Sequence, residues 1–432
     1  MKTILKKIII FKFRVLTFLY LKKNRVNVIA ITGSAGKTTV KEVIRQSIKS
    51  SEVYIPIENY NTEIGLPLSV FQEKVPDDIN NYKSWFRILC RMTGKLIFKK
   101  AHYSRIILEM GADHPGDIKY LTSFVRPQIA IITSVLPVHT ENFTNIAQIA
   151  DEKSQILRHL KNKDLAILNF DNEYIRKMAP KTKSKIFWIG KNKKSNLYWE
   201  NTKLSLDGLS VDLLWKGDKY PVNLKIIAPQ LLTSIFSAVA ACLYLGYDIR
   251  DLIKKIENFE AQKGRMKPIK GLEGSLIIDD SYNANPESTI AALEALDQLS
   301  GRKIAVLGNM NELGEYEEEG HRKVGRKAGL VVQILITIGD KAKKYIVPEA
   351  EKVLSSNNIH CFESPFEAGA ALKKMINKGK GDIILVKGSQ NKVFAEEVTK
   401  IIMAEPQKAS ELLVRQESFW YKKKNKCFKR KD

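Results

Sequence analysis

The chain has few cysteines. Its 432 residues hold four, Cys90, Cys242, Cys361 and Cys427, and none forms a Cys-x-x-Cys pair. Scattered thiols of this kind exclude a disulfide scaffold and a thiolate zinc site, and they fit a reducing compartment, so a cytoplasmic location is expected. No uncharged apolar run approaches the ~18 residues of a membrane-spanning helix. Lys6, Lys7, Lys12 and Arg14 interrupt the N-terminal apolar stretch and no small-residue cleavage site follows, which excludes a secretory signal. Repeats, low-complexity tracts and motifs that read RNA or DNA are absent as well, so no nucleic acid is expected as a partner. Acidic residues are scarce, 47 against 71 Lys and Arg, for a net charge of +24.

That charge is unevenly placed. Residues 1–25 hold eight Lys/Arg and no acid, and residues 422–432 hold seven against Asp432. Together they carry more than half of the net charge, and both ends read first as solvated basic tails. Ile4, Ile8, Phe11, Val15 and Phe18 recur on one face of a helix, with the lysines mostly elsewhere. Two readings stay open: a helix packed on the protein, or a basic amphipathic helix in peripheral contact with the inner face of an anionic membrane. Residues 84–105 repeat the theme, with six Lys/Arg, no acid, and Trp85, Leu89, Met92 and Leu96 at helical spacing. A core-packed helix is the commoner explanation of such a stripe.

The residues that carry chemistry begin at 28, Val-Ile-Ala-Ile-Thr-Gly-Ser-Ala-Gly-Lys-Thr-Thr. A β-branched apolar strand breaks at Gly33, Ser34, Ala35 and Gly36, and Lys37, Thr38 and Thr39 open a helix. Such a loop presents backbone N–H groups to an anion at the helix N-terminus. Lys37 can neutralise β/γ-phosphate charge, and Thr38 can ligate Mg²⁺. The long form of this loop needs glycine five residues before Gly36, where Ile31 stands, so this is the shorter Thr-Gly-x-x-Gly-Lys-Thr form.

The short loop resembles that of the Mur ligase family, the ATP-dependent ligases that build the peptidoglycan stem peptide. Further matches follow in order. They are Asn59-Tyr60-Asn61-Thr62-Glu63-Ile64-Gly65, Glu109-Met110-Gly111-Ala112 at the end of a strand, His139-Thr140-Glu141-Asn142-Phe143, and Lys153. Later come Gly264-Arg265, Asp279-Asp280-Ser281-Tyr282-Asn283-Ala284-Asn285-Pro286, Leu307-Gly308-Asn309-Met310 and Val386-Lys387-Gly388-Ser389. The string from Asp279 to Pro286 is closest to the branch that adds D-alanyl-D-alanine to a UDP-muramoyl-tripeptide. The resemblance spans roughly residues 26–400.

The length predicts two or three domains. Alternating strand and helix over 26–262 predict a mainly parallel sheet flanked by helices, and the resemblance implies that this is the central ATP-binding domain. Strands expected at 276–278, 303–307, 334–338 and 383–386 predict a second, Rossmann-like α/β domain over 263–405, the ligase domain in the family. It lacks a full Gly-x-Gly-x-x-Gly. Residues 1–25 are left as a basic amphipathic segment and 406–432 as a basic tail.

The resemblance also implies a mechanism. The γ-phosphoryl of ATP passes to an acceptor carboxylate, and an amine attacks the acyl phosphate. Gly33 to Thr39, with Asn61, Asp280 and Asn283, would bind the nucleotide. Thr38 and Glu109 would hold one Mg²⁺, and His139 with a carbamylated Lys153 a second. Lys37, His139, Lys153 and Arg265 would be catalytic, with Arg265 meeting phosphate as the domains close. The partners implied are a peptidoglycan precursor and an amino acid or dipeptide, and a monomer is expected.

Three features depart from the family's pattern. Only about 25 residues precede the loop, too few for the N-terminal domain that grips UDP. Folylpolyglutamate and poly-γ-glutamate synthetases share the ATPase core and also lack that domain. The His-Asn-x-x-Asn pattern beside adenine is replaced by Gln230-Leu231-Leu232-Thr233-Ser234, and Asn309 stands where aspartate is common. Two rivals therefore remain: a ligase on a lipid-linked or poly-acid acceptor, and a non-catalytic basic nucleotide-binding protein that docks on membrane or nucleic acid.

Overall fold

The computed structural model describes residues 3–48, 52–58, 60–76, 78–137, 141–377, 379 and 381–428. Asn59, His139, Thr140 and the last four residues of the expected basic tail lie outside the described residues. The chain is α/β, built on two parallel-rich sheets. The first contains β1 (Asn27–Thr32), β2 (Val53–Tyr54), β3 (Arg105–Glu109), β4 (Pro127–Ile132), β5 (Leu165–Asn169), β6 (Lys185–Gly190), β7 (Leu197–Ser205), β8 (Gly208–Trp215) and β9 (Asp218–Leu224). Their spatial order is β2-β3-β1-β4-β5-β6-β7-β8-β9. The pairs from β2 to β7 are parallel. β7, β8 and β9 form an antiparallel meander that the mainly parallel expectation did not include.

β1 is covered on both faces, which explains its unbroken apolar run. Val28 and Ala30 pack into one core, and Ile29 and Ile31 into the other. Helices Thr3–Lys23 and Tyr82–Phe98 lie on the first side, and helices Lys37–Ser47 and Leu232–Tyr244 on the second. The chain leaves β1 for β3 on one flank and returns as β4 on the other, so a switch point falls at the C-terminal end of β1, where such sheets hold ligands.

The second sheet contains β10 (Lys267–Lys270), β11 (Leu276–Asp280), β12 (Lys303–Gly308), β13 (Ile334–Ile338), β14 (Ile359–Phe362) and β15 (Ile383–Lys387), ordered β10-β11-β15-β12-β13-β14. Only β10 is antiparallel to its neighbour. β10 and β14 were not expected; both are four residues long and sit at the edges, where little apolar periodicity is needed.

Neither end of the chain is simply a solvated tail. Residues 3–23 form one helix that buries Ile9, Phe13 and Tyr20 against the core. Of the apolar stripe expected there, Ile8, Phe11 and Val15 face solvent, and Phe18 is half-buried. The helix is apolar around most of its girth, and the protein covers one side. In Tyr82–Phe98 the stripe Trp85, Leu89, Met92 and Leu96 is the core-facing one. At the other end, the expected tail is corrected. It folds through Ala409–Leu412 and Ser418–Phe428, and Trp420 and Phe428 pack on Phe394.

Candidate active site

The phosphate loop is shaped by two glycines and held by the strand next door. Gly33 and Gly36 have φ of 149° and 84°, a region costly for residues with a Cβ. A Cβ on Gly33 would lie 2.0 Å from Thr133 Oγ1, and one on Gly36 2.0 Å from Ser234 Oγ. Residues just past β4 clamp the loop. Ser34 N–H donates to Ser134 O (2.9 Å), Ala35 N–H to Ser134 Oγ (3.0 Å), and Leu136 N–H to Ser34 Oγ (2.9 Å). Helix Lys37–Ser47 starts directly after Gly36 with no side-chain cap, so its first N–H groups and its dipole face the loop. Lys37 Nζ lies across the loop and donates to Gly33 O at 2.7 Å.

Beside the loop stands a carboxylate. Register pairs Glu109 with Ile31, so it emerges at the switch point. It is buried. Thr38 Oγ1 donates to Glu109 Oε2 at 3.2 Å, and Oε1 pairs with Lys41 Nζ at 3.1 Å. Lys41 is likewise buried and also donates to Glu58 O (3.1 Å). Asn61 belongs to the same corner: its carbonyl accepts from Gly111 N–H (3.0 Å), and its side chain would lie 2.9 Å from a Cβ on Gly111. The hydroxyl of Thr38 and the carboxylate of Glu109 are hard oxygen donors that fit Mg²⁺. Among the described residues no group of three or more His, Cys, Asp or Glu converges as a ready-made metal cage. Mg²⁺ suits such a sparse protein set, since substrate phosphates and water usually complete its shell.

Lys153 sits in helix Ile146–Ser154 and is only 3% exposed. Burial, then repulsion from Lys37, push its ammonium down to about 7, and Glu152 and Asp113 offset this only in part. Lys37 is lowered too, first by burial; Glu109 opposes the shift and Arg265 adds to it. Glu152 does not pair with the lysine next to it. It accepts Gly116 N–H at 2.7 Å and Ile118 N–H at 2.6 Å.

The second domain faces the loop across a cleft of about 410 Å³, within the range of small-ligand sites, lined among others by Thr38, Gln262, Arg265, Lys267 and Tyr282. Arg265 stacks on the Tyr282 ring at 4.2 Å, and Tyr282 N–H donates to Gly264 O at 3.0 Å. Asp280 stands at the end of β11. It accepts from Met266 N–H (3.1 Å) and pairs with Lys387 Nζ at 2.5 Å, its register partner on β15. Asn283 is exposed. Asn309 bridges Asp340 Oδ1 (2.8 Å) and Ala342 N–H (2.8 Å). A carboxylate at 309 would confront Asp340, which explains the asparagine.

Thus the structure assembles Gly33 to Thr39, Asn61 and Glu109 at one corner, brings Lys153 and Arg265 within electrostatic reach of Lys37, and ties Asp280 to Lys387 and to the backbone beside Arg265. Sequence reasoning missed Lys41, Thr133, Ser134, Tyr282 and Ser234. Lys41 was findable, since it lies one helical turn beyond Lys37. Ser234, read as part of a lost adenine contact, instead packs against Gly36.

A phosphate loop at a parallel-sheet switch point, faced by an arginine from a second α/β domain, defines a nucleotide-dependent enzyme that works between two domains. Two family models match: the Mur ligase middle domain over residues 31–242, and the Mur ligase, glutamate ligase domain over 264–390. The chain belongs to the Mur ligase family, ATP-dependent ligases that form carbon–nitrogen bonds. It is 28% identical over 386 residues to the UDP-N-acetylmuramoyl-tripeptide–D-alanyl-D-alanine ligase of Buchnera aphidicola, covering 88% of this chain and 78% of that one. Among solved structures it is similar to MurF ligase from Thermotoga maritima in complex with ADP. The TM-score is 0.74 at 27% identity, covering 92% and 84%. MurF from Acinetobacter baumannii gives a TM-score of 0.75 at 25% identity, covering 90% and 79%.

Proposed function

We propose that the chain joins D-alanyl-D-alanine to the free carboxylate of a UDP-muramoyl-tripeptide in peptidoglycan precursor synthesis. One observation carries the reading. The Thr38–Glu109 corner, set on a phosphate loop and faced by Arg265, occurs in a chain similar over most of its length to ligases named for that reaction.

The N–H groups from Gly33 to Thr38 bind the phosphates of ATP. Lys37 moves from Gly33 O onto the β/γ-phosphates. An acceptor carboxylate oxygen takes the γ-phosphoryl group, and ADP leaves. The donor amine then attacks the acyl carbon, loses its proton and expels phosphate. Both steps build negative charge, which Lys37 and Arg265 offset at fixed positions. Arg265 is already oriented by the Tyr282 ring, and closure of the cleft would shield the acyl phosphate from water. Lys153 is half neutral near pH 7, and the free amine can add to CO₂, forming an N–C bond and releasing one proton. Thr38 and Glu109 would hold one Mg²⁺, and His139 with carbamylated Lys153 a second, supplying charge neutralisation at the phosphates. The strongly basic chain works in the cytoplasm, peripherally held at the inner face of the membrane.

Phosphate release should be measured over a panel of acceptors and amines. The expected outcome is release that needs ATP, UDP-muramoyl-tripeptide and D-alanyl-D-alanine together. Faster turnover on a poly-acid or lipid-linked acceptor, or none on any acceptor, would overturn the reading.

A further inference from the structure

Helices Thr3–Lys23 and Tyr82–Phe98 lie side by side and run in the same direction. Phe13, midway along the first helix, meets Trp85 near the start of the second (ring centroids 6.2 Å apart). At the other end Lys23 Nζ donates to Leu96 O (2.6 Å) and Ile97 O (2.9 Å), and Ala101 N–H donates to Asn24 Oδ1 (2.8 Å). Both bury one face in the same core, so their outer faces turn to the same side of the molecule.

Those outer faces are apolar. Ile8, Phe11, Val15 and Leu19 form one ridge at helical spacing, and Phe86 and Ile97 stand on the other helix. Phe11 is 59% and Phe86 65% exposed, and Phe98, at the end of the second helix, is 85% exposed. Single exposed apolar residues are ordinary, but a run along two adjacent helices is not. Neither helix contains an acid, and exposed Lys7, Lys12, Lys22, Lys83 and Arg87 flank the apolar ridges.

We propose that these two outer faces form one docking surface for an anionic lipid bilayer. The inference rests on the peripheral-membrane reading and adds the face that carries it. Long basic side chains can lay their stems along the apolar ridge while their charges reach lipid phosphates. Each such residue at an anionic surface strengthens binding about fivefold. The surface is made of two helical ridges, suited to insertion among lipid headgroups. Among the described residues no helix is long and apolar enough to cross a membrane, so the pair lies on the bilayer. The C-terminal helix is assigned no part: it belongs to the second domain, where Trp420 and Phe428 pack on Phe394 and Lys424 is enclosed by Glu396 and Glu397. The docking helices pack on the side of β1 opposite helix Lys37–Ser47, so that helix lies on the far side of the sheet from the bilayer.

The test uses the full chain and vesicles of phosphatidylglycerol in phosphatidylcholine. Sedimentation with vesicles should rise with phosphatidylglycerol and fall with salt. The double variant Phe11→Ser/Phe86→Ser should bind about tenfold more weakly, with an unchanged melting temperature. Cys90 lies on the exposed side of its helix and Cys427 on the C-terminal one, and these are the two exposed thiols, so each can carry an environment-sensitive fluorophore once the other is replaced by serine. A blue shift is expected at Cys90 and none at Cys427. No sedimentation at low salt, full binding by the double variant, or an equal shift at Cys427 would overturn the proposal. So would a Cys90 response to polyglutamate but not to vesicles, which would assign the face to an acidic protein. Ligase activity on soluble substrates should survive in the double variant; its absence in a wild-type chain that binds vesicles would defeat the ligase reading alone.

Discussion

Lys153 and Lys424 are both nearly sealed from water, at 3% and 1% exposure, yet their surroundings differ in kind. Lys424 lies 2.9 Å from Glu396 and 2.5 Å from Glu397, and donates to Arg415 O at 2.8 Å. Arg415 in turn pairs with both oxygens of Glu396 and donates to Ser281 O and Tyr282 O. Two cations and two carboxylates form a closed cluster that ties the C-terminal segment to the backbone beneath Tyr282. Lys153 has a second lysine for a neighbour, and its adjacent glutamate is spent on backbone N–H groups. Neutralised burial makes a clasp, whereas unneutralised burial keeps an amine near its titration point. Both lysines look alike in the sequence.

The sharpest way to break this comparison is at the cleft. Lys37→Ala, which removes a cation at the transferring phosphoryl group, and Glu109→Ala, which removes a carboxylate that would hold Mg²⁺ there, should each lower turnover about 10³-fold. Near-normal phosphate release by either variant would show that the cleft is not where the chemistry occurs.

On the clasp side, Arg415→Ala leaves Glu396 with one cation and frees the carbonyls of Ser281 and Tyr282. Loss of one partner of a buried pair costs about 3 kcal/mol or more, readable as a lower urea midpoint. Because Tyr282 backs Arg265, the variant's KM for ATP should also rise. A change in neither quantity would mean that the C-terminal segment is merely attached.

The two lysines should separate by pH. Lys153 is lowered from an unfolded value near 10.5 to about 7, so the unfolded chain binds more protons between those values. Stability therefore rises with pH across that window, and the burial cost is complete below pH 7. Relative to Lys153→Met in CO₂-free buffer, the wild type should gain about 2 kcal/mol from pH 7 to 9. With bicarbonate present, activity should depend on Lys153, and a short-chain carboxylate should partly restore Lys153→Ala. A flat difference in stability, with no rescue, would remove the distinction from Lys424.

The smallest effect belongs to a half-exposed site. Asn309→Asp sets a second carboxylate against Asp340 and loses the amide donor, at a cost of about 1 kcal/mol or less that salt should reduce. A stabilised variant would show that Asn309 is not there for its amide.

Much of the fold was legible because local pattern suffices for it. The buried run Val28–Thr32, the two glycines and the hydroxyls after Lys37 describe strand, loop and helix without reference to distant residues. The parallel core strands announced themselves as β-branched runs. The meander β7–β9 and the short edge strands did not, since half-solvated strands carry weaker apolar signals. At the site, Glu109 and Lys37 were legible from strand-end and loop positions. The partner of Asp280 was not legible, because its motif says nothing about Lys387 more than a hundred residues later, which the β11–β15 register places beside it.

By itself, the sequence determined the phosphate loop, the order of strands and helices, the family and the excess of positive charge, because each is a property of neighbouring residues or of composition. The tertiary structure decided which charges are neutralised and which apolar faces are covered. Helix Thr3–Lys23 reads as an amphipathic stripe, but which side meets the core depends on Trp85 and its helix. Likewise the lysine-rich end reads as a tail until Glu396 and Glu397 enclose Lys424. Pairing and burial depend on what long-range packing brings within a few ångströms, and a charge in a linear chain carries no mark of its eventual partner.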